Sequence, residues 1–275
     1  MKTKILITAV NSPPGRSVYT SLKKNKNLDL ICIDSDKNSV FSLMKKKKFF
    51  LSPPAKNKNY KKFINKIIRQ NKIKIIIPCI EPEIIFFSKN LTSYKEINIF
   101  VPKLNVLYEV INKHKLFNLC KKLKIKTPKT QKISLPIKNK KLKIHYPIIL
   151  KPIIGWGMNN VHVIKNKKQF LQITSDLRGE FVVQKFLGNF KKNIYAVGLL
   201  IDKNGKEKLN FISKSIITKY KNGGPAIAGL EVNNRFLLKV ARKLISSLQG
   251  FCGPAMIEFI KTKGRNNFNL IAFNS

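Results

Sequence analysis

Acidic residues are scarce in this chain. Asp and Glu number 13 among 275 residues, against 55 Lys and Arg, for a formal net charge of +42. Carboxylate-rich chemistry, such as a multi-acid cation cage, therefore has little material to draw on. Arginine is scarce as well, at six of the 55 basic residues. Proteins that read phosphates and bases favour the bidentate guanidinium over the lysine point charge. The even spread of Lys, Asn and Ile, in runs such as Lys45-Lys46-Lys47-Lys48 and Ile75-Ile76-Ile77, points instead to a compositional bias laid over an ordinary enzyme framework, and nucleic acid is not the expected partner. Cysteine is sparse: Cys32, Cys79, Cys120 and Cys252 lie far apart without a Cys-x-x-Cys pair, which argues against a zinc site or a secreted disulfide framework. No uncharged apolar run approaches the ~18 residues that span a bilayer. The apolar start Ile5 to Val10 is too short for a signal-peptide core. A cytoplasmic protein without membrane contact is expected.

What is present suffices for a core, since 43% of the residues are hydrophobic. The first hundred residues alternate short apolar runs with helix-like stretches, the pattern of a parallel α/β sheet. Strands are predicted over 4–9, 28–33, 49–51, 74–78 and 97–101, and helices after Gly15, near 40–44, over 60–70 and over 81–87. The turn Asn11-Ser12-Pro13-Pro14-Gly15 follows the first strand, but it is no G-x-G-x-x-G, and its two prolines each remove a backbone donor. Glu81 and Glu83 stand at a strand-to-helix turn, either as an acid/base pair or as carboxylates favouring the helix dipole.

Beyond Pro102 the pattern changes. Helices are predicted over 105–111 and 113–123, then a Lys/Asn-rich connection over 135–145. A hairpin follows, with strands 146–152 and 161–164 around a glycine-bearing turn. Strands over 181–184, 196–201 and 209–212, a helix over 233–249, and paired strands over 255–260 and 268–273 complete the chain. The segment Ile149-Leu150-Lys151-Pro152-Ile153-Ile154-Gly155-Trp156-Gly157 is the most informative. A lysine at a strand end before a glycine loop sets an ammonium and backbone donors around one space, which suits nucleotide phosphates. Lys214 and Lys219 are weaker candidates to face a transferred phosphate, and Trp156 to cap a base.

This order of elements resembles the ATP-grasp superfamily, most of all the ATP-binding part of the carbamoyl-phosphate synthetase large chain. The resemblance implies an α/β fold: an N-terminal Rossmann-like (pre-ATP-grasp) domain over 1–104, then an ATP-grasp module of two α+β subdomains, 105–183 with the phosphate loop and 184–275 with the metal-binding strands. It implies ATP and Mg2+ as cofactors and a small-molecule carboxylate as substrate, joined to an amine or thiol through an acyl phosphate. In that register Asn112-Lys113 stands where the family has Asp-Lys, before Thr127-Pro128-Lys129-Thr130. Lys113 and Lys151 would be the phosphate lysines, Gly155 and Gly157 part of the phosphate loop, Gln184 and Phe186 part of the adenine-receiving strand and hinge, and Glu258 and Asn274 the metal ligands. The departures are Ala272 for the usual metal-bridging Glu, Met158 and Asn160 for the loop's serine and third glycine, Lys185 for an acid, and Ile194 for the ribose-contacting Glu. They leave open a degenerate member acting as a scaffold or regulator.

Overall fold

The computed structural model describes residues 2–43, 48–136, 142–155, 160–188, 193–220 and 223–275, without the side chains of 219, 220 and 223–225. Two units divide the chain, Met1–Leu104 and Asn105–Ser275.

In the first unit the apolar runs become β1 (Thr3–Ile7), β2 (Leu28–Asp34), β3 (Phe49–Leu51), β4 (Ile75–Ile77) and β5 (Asn98–Ile99), a parallel sheet in the order β3-β2-β1-β4-β5. Buried on both faces, these strands read as continuous hydrophobics rather than alternating ones. The chain winds outward from β1 through β2 to β3, then crosses to β4 on the other side. The crevice at the β1 and β4 carboxyl ends is therefore the topological switch point. Around it run α1 (Pro13–Leu22), α2 (Tyr60–Asn71) and α3 (Glu81–Lys89). The prolines after β1 occupy the first positions of α1, where a missing N–H costs nothing, and Ser12 Oγ accepts from the Gly15 N–H at 3.2 Å. The segment expected as a helix at 40–44 is a 3-10 turn at Val40–Leu43, because the Asp36 and Ser39 side chains draw the N–H groups of Asn38 and Phe41 into local turns.

The second unit opens with α4 (Leu104–Ile111) and α5 (Lys113–Lys122) and holds two antiparallel sheets. One contains β6 (Thr130–Leu135), β7 (Ile148–Pro152), β8 (His162–Ile164) and β9 (Gly179–Lys185) in the order β6-β9-β7-β8. The expected hairpin is the β7–β8 pair, Ile148 opposite Ile164, yet β9 lies on the other flank of β7. Strand β6 and helix α6 (Lys167–Thr174) had no counterpart in the sequence reading. Ile148, Leu150, Ile164, Phe181 and Val183 share a buried cluster with Phe170 of α6.

The other sheet runs β12-β11-β10-β13-β14, formed by β10 (Ile194–Ile201), β11 (Glu207–Tyr220), β12 (Gly223–Glu231), β13 (Gly253–Lys261) and β14 (Phe268–Asn274). Helix α7 (Arg235–Ser246) buries Leu237, Ala241, Leu244 and Ile245, one helical stripe, and is capped by Asn234 accepting from the Leu237 N–H at 3.0 Å. A continuous strand, β9, runs through residues 183 and 184. Among the described residues, no helix is long and apolar enough to cross a membrane.

Candidate functional site

The site grows from the start of α5. Asn112 caps this helix, its Oδ1 accepting from the Lys115 N–H at 3.1 Å, so an asparagine here does the capping work of an aspartate. The cap sets Lys113 at the first helical position, where it is tied down twice. Its backbone N–H donates to Ile153 O at 2.9 Å and its Nζ donates to Gly155 O at 3.0 Å. The first lysine is thereby anchored to the beginning of the glycine loop.

Lys151 lies on β7, directly paired with Val182 of β9, and Gln184 pairs with Ile149 two residues away. Paired residues share a sheet face, so Lys151, Val182, Ile149 and Gln184 line one face, while Leu150 and Val183 enter the core behind it. Burial pushes the Lys151 ammonium down to about 8, the like charge of Lys113 pushes the same way, and Glu258 opposes both. Lys113 and Glu258 therefore both act on the Lys151 charge. Gln184 is 1% exposed, and its Nε2 donates to Thr130 Oγ1 at 2.9 Å, which fixes its amide against β6. Past the strand end, the Phe186 N–H donates to Pro147 O at 3.1 Å, securing the hinge to the segment that leads into β7.

On the other sheet, Glu258 of β13 pairs with Ala196 on one side and Ala272 on the other. Asn274 Nδ2 donates to Glu258 Oε1 at 3.2 Å. Burial raises the Glu258 carboxyl above the usual range, while Lys151 and the Asn274 amide pull it back. On the same face, Ile194, Ile260 and Ile271 form an apolar cluster with Leu187. The sequence reading missed Ile260 and Ile271; the exchange at Ile194 was the available signal.

The structure thus brings Lys113, Lys151, Gly155, Glu258 and Asn274 to one place, with Gln184 on the Lys151 face and Phe186 just beyond it. Gly157, Trp156 and Met158 lie outside the described residues. Asn160 has φ +53°, the left-handed region that asparagine tolerates better than most residues, so the exchange of a loop glycine for asparagine keeps that backbone turn. Lys214 must be withdrawn as a candidate for the transferred phosphate. It pairs with Tyr195, on the face opposite Glu258, and its ammonium lies 5.9 Å from that ring. Lys219's side chain is outside the described set.

The donor set suits Mg2+ poorly. One carboxylate, Glu258, and one amide, Asn274, hydrogen-bond to each other, Lys151 offsets the carboxylate's charge, and Ala272 supplies no oxygen across the ladder. Among the described residues, no group of three His, Cys, Asp or Glu side chains is placed to hold a metal ion.

In the first unit, Glu83 is 4% exposed, accepts from the Thr8 hydroxyl, and accepts from Tyr60 OH at 3.3 Å. Burial lifts its carboxyl to about 7. It stands in the first turn of α3, the position of a dipole carboxylate, and its hydrogen bonds make it a buried strut between the segment after β1, α2 and α3.

Residues 5–102 match the family model described as the PylC-like N-terminal domain, and residues 110–274 match that of the ATP-grasp domain. The fold is similar to the L-amino acid ligase from Bacillus licheniformis, with a TM-score of 0.72 at 14% identity, covering 99% of this chain and 66% of that one. It is similar also to N5-carboxyaminoimidazole ribonucleotide synthetase from Thermotoga maritima, with a TM-score of 0.66 at 16% identity over 100% of this chain and 68% of that one. A third similar structure is the biotin carboxylase domain of Hydrogenobacter thermophilus 2-oxoglutarate carboxylase, solved with MgADP, with a TM-score of 0.69 at 16% identity over 100% of this chain and 64% of that one. The chain thus spans about two thirds of the length of these proteins. No curated protein matches it. With the match to the ATP-grasp model covering more than half its length, the chain belongs to the ATP-grasp family.

Proposed function

We propose that this chain binds ATP between the Lys151 face of one antiparallel sheet and the Glu258 face of the other, Lys113 and Lys151 holding the phosphates. The observation that carries this reading is the Lys113 ammonium bonded to Gly155 O beside a desolvated Lys151. The charge of Lys113 disfavours that of Lys151, and phosphate oxygens offset both. The apolar cluster of Leu187, Ile194, Ile260 and Ile271 offers a surface on which the base can pack. Residues 184–188 then connect the nucleotide to the hinge, with Gln184 held rigid by Thr130.

The chemistry proposed for this arrangement is ligation of a small carboxylate to an amine or thiol. The carboxylate oxygen attacks the γ-phosphorus, the bond to the bridging oxygen breaks, and ADP leaves. The amine or thiol then displaces phosphate from the acyl phosphate. Lys113 and Lys151 offset the charge that spreads over the transferred phosphoryl oxygens. The finer relationship to the carbamoyl-phosphate synthetase large chain rests on the Asn112-Lys113 and Thr127-Pro128-Lys129-Thr130 register. A division of the second unit into a phosphate-loop part and a β13–β14 part belongs to the same proposal. A cytoplasmic location fits the four free cysteines.

A second reading, favoured by Ala272 opposite Glu258, is nucleotide binding without turnover, in a scaffold or regulatory role. Calorimetric titration with ATP tests the shared part, and no heat of binding at millimolar ATP overturns both readings. Phosphate release from ATP upon addition of mixed carboxylates and amines separates them: release supports ligation, and its absence in an ATP-binding protein supports the second.

A further inference from the structure

Glu258 is the carboxylate whose charge acts on Lys151 among the described residues, and it lacks the oxygen partners of a cation site. The two residues directly opposite Glu258 on the ladder supply no second oxygen that would turn it towards a cation. Ala272 stands on one side of it, and Ala196 and then Ser213 stand on the other. The next carboxylate in that row, Glu231, pairs with Ser213 three strands away from β13, about 14 Å at the usual strand spacing. Asn274 turns its amide N–H, not its carbonyl, to Glu258. A divalent cation at Glu258 would also compete with the Lys151 ammonium for the same carboxylate charge.

The charge of the whole chain works in the same direction. At +42, its field favours the more negative of two related ligands, and the free nucleotide is more negative than its magnesium complex.

We infer that Glu258 is not a cation ligand and that the site takes a nucleoside triphosphate as the metal-free anion. This rests on the nucleotide reading above, deepens it, and weighs towards binding without turnover.

The test is calorimetric titration of the whole chain with ATP, once in excess EDTA and once in excess Mg2+, at fixed ionic strength. The expected result is binding in EDTA that is equal to that in Mg2+ or up to about tenfold tighter, since the magnesium complex has lost part of its attraction to the lysines. In Glu258→Gln, whose melting profile checks folding, metal-free binding is retained or strengthened and the difference between the arms persists. Tightening by Mg2+ of about tenfold or more, abolished in Glu258→Gln, overturns the inference and leaves the nucleotide reading intact. Binding in neither arm overturns the nucleotide reading itself. The comparison of the two arms in the unaltered protein stands even if the variant does not fold.

Discussion

Ala272 lies directly across the β13–β14 ladder from Glu258, so the position best placed to share a cation with that carboxylate carries a methyl group. Restoring a carboxylate there has two opposed effects. Like charges directly opposite on a sheet repel, so Ala272→Glu is expected to destabilise the second unit by about 0.2–1 kcal/mol in EDTA. Two facing carboxylates also create a cation site, so Mg2+ is expected to raise the melting temperature of this variant and to tighten its ATP binding by about tenfold, a typical coupling between two ligands. Thermal melts with and without Mg2+ read the first effect and calorimetry the second.

The Thr130 hydroxyl receives the buried Gln184 amide at 2.9 Å. Thr130→Val keeps the shape and removes the acceptor, leaving an amide N–H without its partner on the Lys151 face. The expected loss is about 1–3 kcal/mol of unfolding free energy by urea denaturation. A Gln184→Leu background should abolish most of that loss, because the orphaned group is then absent.

Glu83 makes the first unit sensitive to pH. Its folded pKa, about 7, lies above the usual carboxylate value of 4.5, so the folded state binds the proton more tightly than the unfolded state. The resulting stability is fully present below the ordinary carboxylate range and is lost as the pH rises through about 7. The difference is on the order of 3 kcal/mol. Glu83→Gln holds a neutral amide in the same place, and it is expected to flatten the fall in stability of the first unit between about pH 5 and pH 8. Denaturation curves at several pH values, followed by a probe in the first unit, check this; an unchanged slope would show that the strut does not govern it.

Two glycines are closely confined, and their neighbours differ. A Cβ at Gly15 would lie 2.3 Å from Ala9 O and 2.7 Å from Val10 Cα, both backbone atoms of the β1–α1 turn. A Cβ at Gly198 would meet the Phe211 ring at 2.1 Å, a side chain that is partly exposed and able to swing outward. Gly15→Ala is therefore expected to cost about 3 kcal/mol and Gly198→Ala about 1 kcal/mol, read by denaturant titration. The reverse order would mean that the turn yields more readily than the ring.

Much of the first unit was legible because parallel strands buried on both faces print as unbroken apolar runs, as in Ile75-Ile76-Ile77. Strands β6 and β12 were not. Thr130–Leu135 carries exposed Lys132 and Ser134, and Gly223–Glu231 is an edge strand with glycine and proline, so neither shows the apolar signal of a strand. At the site, Lys151 could be named from a local motif, a lysine before a glycine loop, whereas Lys113 and Glu258 were named only through the resemblance of the element order to the ATP-grasp superfamily. What brings them together is not local. The bond from Lys113 to Gly155 spans 42 residues, and the Asn274 amide reaches Glu258 only because β13 and β14 pair with Met256 opposite Asn274. The pairing of β10 with β11 and β13 reveals that Lys214 points away, which no count along the sequence discloses.

The central claim is that two particular lysines, rather than a diffuse positive surface, hold the nucleotide. Calorimetric titration with ATP of the unaltered chain, of Lys151→Ala and Lys113→Ala, and of Lys239→Ala on the exposed side of α7 tests it most directly. The account predicts that each site variant binds about tenfold or more weakly, as expected for loss of a partly buried charge-assisted contact, while Lys239→Ala matches the unaltered chain. Equal affinity in all four proteins would contradict it.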